Sequence, residues 1–492
     1  MKDGVKVMAP LVLGACLFTT GCLMKDVDKD PRPPVAIPEA FAVDASEQAD
    51  PGPWWESFGD PELARLVDEA LKHNFQMQQA WARIEQAEAL ERMAGAGMYP
   101  RVDASLSAGR NKSAPRVFNL GGTPQTIPGV EQNNFSASLP VSYEVDLWGR
   151  VRAGLFAAEQ DTEAARADLE TTAMTIAANV TERWFDVIEQ RALVRLIDEQ
   201  LEVGETNLEL TMLRFREGDA AISDVYQQQQ QQQQLEAQRE GVKLQEQLAS
   251  QQLAVLLGKP PSRIAERDRA DLPPPPAAPQ TGIPAAMLER RPDLRAAKAR
   301  LVAADYRVAQ AIAARLPALT LSGSIGLNSP SLSDFFTSFI WSLTAGLAGT
   351  IWDGGRLDAD IDRNEALVKE RVAAYGQALL TALVEVESAL AQERLTRSRI
   401  EVLRSQRRTA RATLDASRRR FQAGIGTYLA TLTALRSLQQ AEQGLLSAER
   451  QLLSARVQVY RALGSHWTKS LTPPDDGEEK PEARPEGEKA PS

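Results

Sequence analysis

Two halves of this chain repeat one another, and that repeat constrains the architecture more than any other feature. Residues 71–105 lie on residues 288–322 at a constant separation of 217, without a gap. Leu71/Leu288, Ala80/Ala297, Arg83/Arg300, Ala87/Ala304, Ala94/Ala311, Pro100/Pro317 and Ser105/Ser322 are identical pairs. Further on, the separation becomes 206: Gly149-Arg150 matches Gly355-Arg356, Phe215 and Gly218 match Phe421 and Gly424, and Leu257-Gly258 matches Leu463-Gly464. The separation changes between Ser107 and Gly149, so the first copy carries 11 extra residues there. A duplicated supersecondary unit of this size demands that each element be assigned twice, in the same order.

Each copy alternates between two periods. Phe135, Ala137, Leu139, Val141, Tyr143, Val145 and Leu147 share one face, and Ser136, Ser138, Pro140, Ser142, Glu144 and Asp146 the other. That is strict period-two alternation, longer than an ordinary globular strand. Its counterpart sets Phe339, Trp341, Leu343, Ala345, Leu347, Gly349 and Ile351 against Ser342, Thr344, Gly346 and Thr350. Val102, Ala104, Leu106 and Ala108, and Leu319, Leu321, Gly323, Ile325 and Leu327, alternate likewise. The pattern predicts four strands, near 102–110, 134–147, 319–327 and 339–351, joined in the first copy by an exposed Asn-, Gly- and Pro-rich loop from Arg110 to Asn134. A strand needs about 9–11 residues to cross a bilayer, apolar toward lipid and polar toward a lumen. A soluble sandwich with one wet face fits the same alternation.

The other period is helical. Gly355 to Phe421 holds no proline. Leu357, Ile361, Val368, Val372, Tyr375, Leu379, Leu383, Val386 and Leu390 step mostly by three, four or seven, as in a coiled-coil seam. Such a helix is about 100 Å long at 1.5 Å per residue, as is its equivalent from Arg150 to Phe215. Neither can fold back into a compact core, so each must pack along other long helices. Gln227 to Gln234, inside the returning helix, reads as a neutral polar stretch.

Four strands cannot close a barrel, for which about eight is the practical minimum. An open sheet in lipid leaves backbone groups unsatisfied. Membrane strands would therefore require several chains: two give eight strands and three give 12. No segment after residue 22 is apolar for long enough to cross as a helix. The head, with Lys2, Lys6, an apolar run from Val7 to Thr20 and then Gly21-Cys22, reads as a signal peptide over 1–21 ending at a lipidated Cys22; Cys16 is a weaker alternative. A lipidated extended segment would then occupy 22–61, the two repeats 62–258 and 286–464, a proline-rich linker 259–285, and a disordered tail 465–492. The net charge of −10 and pI of about 5.2 argue against nucleic acid as a partner. His73 and His466 are the only histidines, and neither stands at catalytic or metal-ligand spacing. No catalytic, cofactor-binding or metal residue is expected.

Trp54-Trp55-Glu56-Ser57-Phe58-Gly59-Asp60-Pro61-Glu62-Leu63, Tyr143 through Trp148-Gly149-Arg150, Arg291-Pro292-Asp293-Leu294 and Gly354-Gly355-Arg356-Leu357 together resemble the TolC-like outer-membrane efflux proteins, in their lipoprotein (NodT-type) branch. The resemblance covers the chain from Trp54 to about Trp467. It implies a mixed fold: a homotrimer with a 12-stranded transmembrane β-barrel in outer-membrane lipid and a long α-helical coiled-coil barrel in the periplasm. It also implies a periplasmic adaptor (membrane fusion) protein docked on the tip, and an inner-membrane pump, preferably proton-driven, as the energy source. Leu23 after Cys22 resembles the outer-membrane class of lipoproteins. The family's tip, near Gly218–Tyr226 and Gly424–Leu432, is closed by leucine and aspartate rings. Leu429 matches the leucine, Thr433 stands where aspartate is usual, and Asp224 is the remaining gate carboxylate. A periplasmic adaptor lipoprotein is the alternative function, and a lipid-anchored envelope enzyme a weaker one.

Overall fold

A computed structural model describes residues 25–39, 52–120, 123–261, 271–277, 290–464 and 467–473. The signal-peptide stretch and Cys22 lie outside the described residues. The chain divides into two compact units, formed by the described parts of Met1–Pro34, Ile84–Ala165 and Ala296–Gln377, and of Val35–Arg83, Arg166–Arg295 and Ala378–Ser492.

In the first unit the strands are β1 (Arg101–Val102), β2 (Ser105–Lys112), β3 (Arg116–Leu120), β4 (Thr123–Ile127), β5 (Glu131–Val145), β6 (Ala318–Ser329) and β7 (Phe339–Ala348). β1 and β2 are one strand interrupted: both keep the same antiparallel register on β5, from Arg101↔Ser142 to Lys112↔Glu131. The interruption faces Pro140. Asp103 donates its N–H to the Pro140 carbonyl at 2.9 Å, and proline has no N–H to return. The missing bond falls on the β1/β2 side, because β5 pairs with β6 without a break from Phe135↔Ser329 to Val145↔Leu319. β6 pairs in turn with β7, giving a meander in order β1/β2–β5–β6–β7.

The registers put like with like across the sheet. On one face Ser105 lies 2.7 Å from Ser138, Ser107 2.7 Å from Ser136 and Ser324 2.8 Å from Ser342, hydroxyl to hydroxyl. On the other, Leu106, Leu139, Ile325, Trp341, Leu343 and Leu347 are exposed. A face this apolar and this exposed marks a surface covered by something other than water. Aromatic residues flank it, with Phe336 and Phe339 at one end and Tyr99 and Trp352 at the other. No helix among the described residues is long and apolar enough to cross a membrane.

Three sequence expectations are corrected here. The Arg110–Asn134 connection is not a plain loop: it contains β3 and β4 paired as a hairpin, with Arg116↔Ile127 and Leu120↔Thr123. The last strand stops at Ala348, and Gly349 lies beyond it, where a Cβ would meet the Pro317 ring at 3.0–3.1 Å. The tail is also shorter than 465–492, since Trp467–Ser470 forms a 3-10 helix with Thr468 buried.

The helices are α1 (Pro61–His73), α2 (Phe75–Ala96), α3 (Arg150–Arg216), α4 (Ile222–Leu256), α5 (Pro292–Ala313), α6 (Arg356–Gln422) and α7 (Tyr428–Leu463); α3 and α6 have 67 residues each. Strand gives way to helix at the Trp148-Gly149-Arg150 junction. Asp146 accepts from the Val151 and Arg152 amides, and Asp353 accepts from Gly355, Arg356 and Leu357, so a carboxylate caps each long helix. Trp148 Nε1 donates to the Pro317 carbonyl at 2.7 Å. Arg150 grips Glu144 through two bonds of 2.9 and 2.6 Å, which raises its guanidinium pKa above the usual arginine value.

In the second unit the duplication reappears as geometry. Gly258 (φ 72°) packs so closely on the His73 carbonyl that a Cβ would meet it at 2.3 Å; at Gly464 (φ 72°) a Cβ would meet the Arg290 carbonyl at 3.0 Å. Asn74 Nδ2 caps the Leu256 carbonyl at 2.8 Å, and Arg291 Nη1 caps the Ala462 carbonyl at 3.0 Å. Both pairs obey the two sequence separations. Arg291 also holds Asp293 and Glu385 at 2.7 Å, which accounts for the Arg-Pro-Asp motif as structural. The Trp-Trp stretch is structural too. Trp54 stacks on Tyr460 (5.5 Å), Trp55 meets Trp467 edge-on (4.7 Å), and Trp184 Nε1 donates to Asp60, the α1 N-cap, at 2.8 Å.

The coiled-coil seam read from the sequence is the buried one. Tyr375, Leu379, Val386 and Leu390 are buried, and Leu357, Ile361, Val368, Val372 and Leu383 half-buried.

Candidate gate at the helical turns

The α3–α4 and α6–α7 turns are built alike. Gly218 (φ 83°) and Gly424 (φ 75°) take the left-handed conformation just past each helix. Asp219 N–H then reaches back to the Arg214 carbonyl at 2.8 Å, and Ile425 N–H to Arg420 at 3.1 Å. This is the glycine-terminated helix end that stops a long helix sharply. Restart is achieved differently: the Thr427 hydroxyl accepts from Ala430 N–H at 3.3 Å, while Ala221 offers α4 no side-chain cap.

The three sequence-named gate residues fall at these turns. Leu429 is the second residue of α7 and is 58% exposed. Thr433 is exposed one turn later, and its hydroxyl donates to the Leu429 carbonyl at 2.8 Å. Both line an open groove of about 980 Å³ between α6 and α7, opposite Val402, Gln406 and Thr409. Asp224 sits in the first turn of α4, half-exposed and outside that groove. It bears on Tyr428, the neighbour of Leu429. Burial pushes the Tyr428 phenol above its usual pKa, and the Asp224 charge adds to that rise.

A set of buried amides next to these residues was not anticipated. Gln228 and Gln231 of the glutamine run are 1% and 5% exposed. Tyr428 Oη donates to Gln228 Oε1 at 2.6 Å, and Gln228 Nε2 donates to the Gly204 carbonyl at 3.0 Å. Arg436 Nε donates to Gln231 Oε1 at 2.5 Å, and Gln231 Nε2 to Gln439 Oε1 at 3.2 Å. Three helices, α3, α4 and α7, are therefore tied by neutral amides, a phenol and one guanidinium. Arg214 lies over the Phe421 ring at 4.4 Å, and Phe421 packs on Tyr428 at 5.7 Å. The signal for this set was present but indirect. A homopolymer has no phase of its own. Val225 and Leu235, buried at either end, set the phase and put positions 228 and 231 on the inward face.

A meander of membrane-length strands continuing into paired 67-residue helices defines a class of envelope channel, and comparison with known proteins agrees. The family model for outer membrane efflux proteins matches residues 66–259 and 283–465, and the chain belongs to that family. It is 33% identical over 477 residues to the pyoverdine export outer membrane protein OpmQ of Pseudomonas aeruginosa, covering 95% of this chain and 97% of that one. It is 30% identical to outer membrane protein OprJ of the same species, over 94% of this chain and 95% of that protein. Among solved structures, the outer-membrane channel OprN superposes with a TM-score of 0.81 at 27% identity, over 89% of this chain and 99% of that one. The outer membrane protein VceC of Vibrio cholerae does so with 0.76 at 27% identity, over 85% and 100%. The chain is thus an outer-membrane efflux protein whose helices extend into the periplasm.

Proposed function

We propose that three copies of this chain form a passive duct carrying small molecules across periplasm and outer membrane, as the channel component of a tripartite pump. The observation that carries this reading is the sheet. Its four-stranded meander has one serine-lined face and one exposed apolar face, and the outer sides of its edge strands, β1/β2 and β7, pair with no further strand among the described residues. Unpaired edges are prohibitive in lipid. Three meanders closing edge to edge give 12 strands, with the serine face inward. Such a duct carries out no chemistry of its own. A periplasmic adaptor and an inner-membrane pump supply selection and energy. The names of curated relatives include exporters of pyoverdine and of toluene, consistent with a duct that does not itself select.

In this reading Leu429 from each chain forms the narrow apolar ring of the tip, which excludes water by dewetting. Asp224 tunes the adjacent Tyr428, and Thr433 leaves the ring uncharged. Residues 1–21 are removed and Cys22 is acylated. The described strap after it supports this: Lys25 pairs with Asp305, Val27 is buried with Val302 and Tyr306, and Lys298 pairs with Asp30. The strap thus runs along α5, with Lys25 nearer the sheet end of that helix than Asp30. Affinity purification of the full-length chain from cross-linked host envelopes tests the function. An adaptor and an inner-membrane pump should co-purify; recovery of neither overturns it. Palmitate labelling that survives Cys22→Ser would overturn the anchor assignment.

A further inference from the structure

The lipid-side face of the sheet changes chemistry abruptly at one end. On β2 its residues run Leu106, Ala108, Arg110, Lys112; on β5 the facing residues run Ala137, Phe135, Asn133, Glu131. The apolar row of β5 from Val145 to Phe135 rises about 33 Å along the strand at 3.3 Å per residue. At a tilt of about 40° this becomes about 25 Å along the membrane normal, the height of a barrel's apolar band. Asn133 and Glu131 then stand about 5 and 10 Å beyond the band, within the headgroup layer. The opposite ends of β1 and β5 lead into α2 and α3, so this rim is the outer one.

Arg110 and Lys112 share a single carboxylate there. Arg110 Nη2 lies 2.6 Å from one Glu131 oxygen and Lys112 Nζ 3.0 Å from the other. The trio keeps a net positive charge. The side chains of Arg110 and Lys112 are 71% and 73% exposed, and no other ion pair among the described residues involves either. A guanidinium has five donors and an ammonium three, so most remain available. Leu106, 81% exposed, lies on the same face just below them.

We propose that Arg110 and Lys112 bind the phosphate-bearing headgroup of an outer-leaflet glycolipid, whose acyl chains lie along Leu106 and Ala108. Glu131 holds the two cations side by side at headgroup height. The proposal rests on the membrane placement of the sheet given above. A lone rim arginine would fit any anion. Two cations set directly above an apolar strip fit a ligand that is phosphorylated at one end and hydrocarbon at the other.

The test uses the full-length trimer in detergent with bisphosphorylated lipid A, fully dephosphorylated lipid A, or inorganic phosphate, with binding followed by native mass spectrometry. The bisphosphorylated lipid should bind, and the double variant Arg110→Gln/Lys112→Gln should bind it about 30-fold more weakly, since each lost basic residue removes about 1 kcal/mol and about 1.4 kcal/mol is tenfold. Arg101→Gln, a basic residue at the opposite end of the same strand pair, should bind as wild type. Equal binding of the dephosphorylated lipid, or equal affinity of the double variant, overturns the proposal. Competition by millimolar inorganic phosphate as effective as that by the lipid also overturns it, by making this a soluble-anion site. Failure of the wild-type chain to form a membrane-extractable trimer would instead overturn the duct reading, and is seen before any lipid is added.

Discussion

An arginine placed on the apolar sheet face should be rejected according to its depth. The β5 row centres on Pro140, flanked by Leu139 and Val141. The registers carry these levels across the sheet, from Leu139 to Ile325 to Trp341 and from Val141 to Gly323 to Leu343. Leu343, 77% exposed, is therefore close to mid-band, whereas Leu347 pairs through Leu319 with Val145 at the periplasmic end. Arginine costs about 2–4 kcal/mol at the midplane of a barrel and about 0–1 near the interface. Leu343→Arg should thus remove about 9 kcal/mol from a three-chain barrel, enough to abolish assembly, while Leu347→Arg removes at most about 3. Thr344→Arg, one residue away on the serine face, should assemble. The assay is the yield of heat-dissociable trimer in the outer-membrane fraction, with urea midpoints of the purified forms. Equal assembly of Leu343→Arg and Thr344→Arg would refute the assignment of faces to lipid and lumen.

Further outcomes follow from the helical unit. In planar bilayers Leu429→Ala should raise the resting conductance several-fold while Thr433→Ala leaves it nearly unchanged; normal assembly with wild-type conductance would remove Leu429 from the gate. Tyr428→Phe should open the tip partially, because it strands the buried Gln228 carbonyl, at about 1–3 kcal/mol per chain; Gln230→Ala, at an exposed position of the run, should not. Glu189, nearly one turn from Asp186 and facing Arg450, has its pKa raised by burial, against the Ser447 hydrogen bond and the Arg450 charge. A carboxyl with a folded pKa above its unfolded one opposes folding once ionised, so its penalty grows as pH rises through the folded pKa and is absent below about pH 4. Glu189→Gln should therefore melt above wild type at pH 7, with the difference shrinking as pH falls toward 4; a constant difference across that range would contradict the cause assigned.

The parts of this fold that were legible in the sequence are those carried by a period. Alternation gave the faces of β5, β6 and β7 because each side of a membrane strand meets one solvent only. The seam from Leu357 to Leu390 was legible because a helix this long keeps one stripe inward. What escaped has a physical reason in each case. β3 and β4 are five residues each, carry Pro124 and alternate weakly, and they pair with each other rather than with the sheet. The break opposite Pro140 depends on which strand faces the missing N–H, which is a property of pairing. The glutamine run concealed its inward face because its members are identical. Trp467 lies just ahead of a tail whose composition masks it, yet it completes the packing of Trp55. At the proposed gate, Leu429 and Asp224 could be located at their turns, but the amides behind them are set by helix packing far apart in sequence.

The central claim is that this sheet closes only in threes. Native mass spectrometry of the full-length chain, extracted from outer membranes and released from detergent in the gas phase, measures the copy number directly. A single species of three chains is expected. A two-chain species would mean an eight-stranded closure, and a one-chain species a sheet with open edges; either contradicts it.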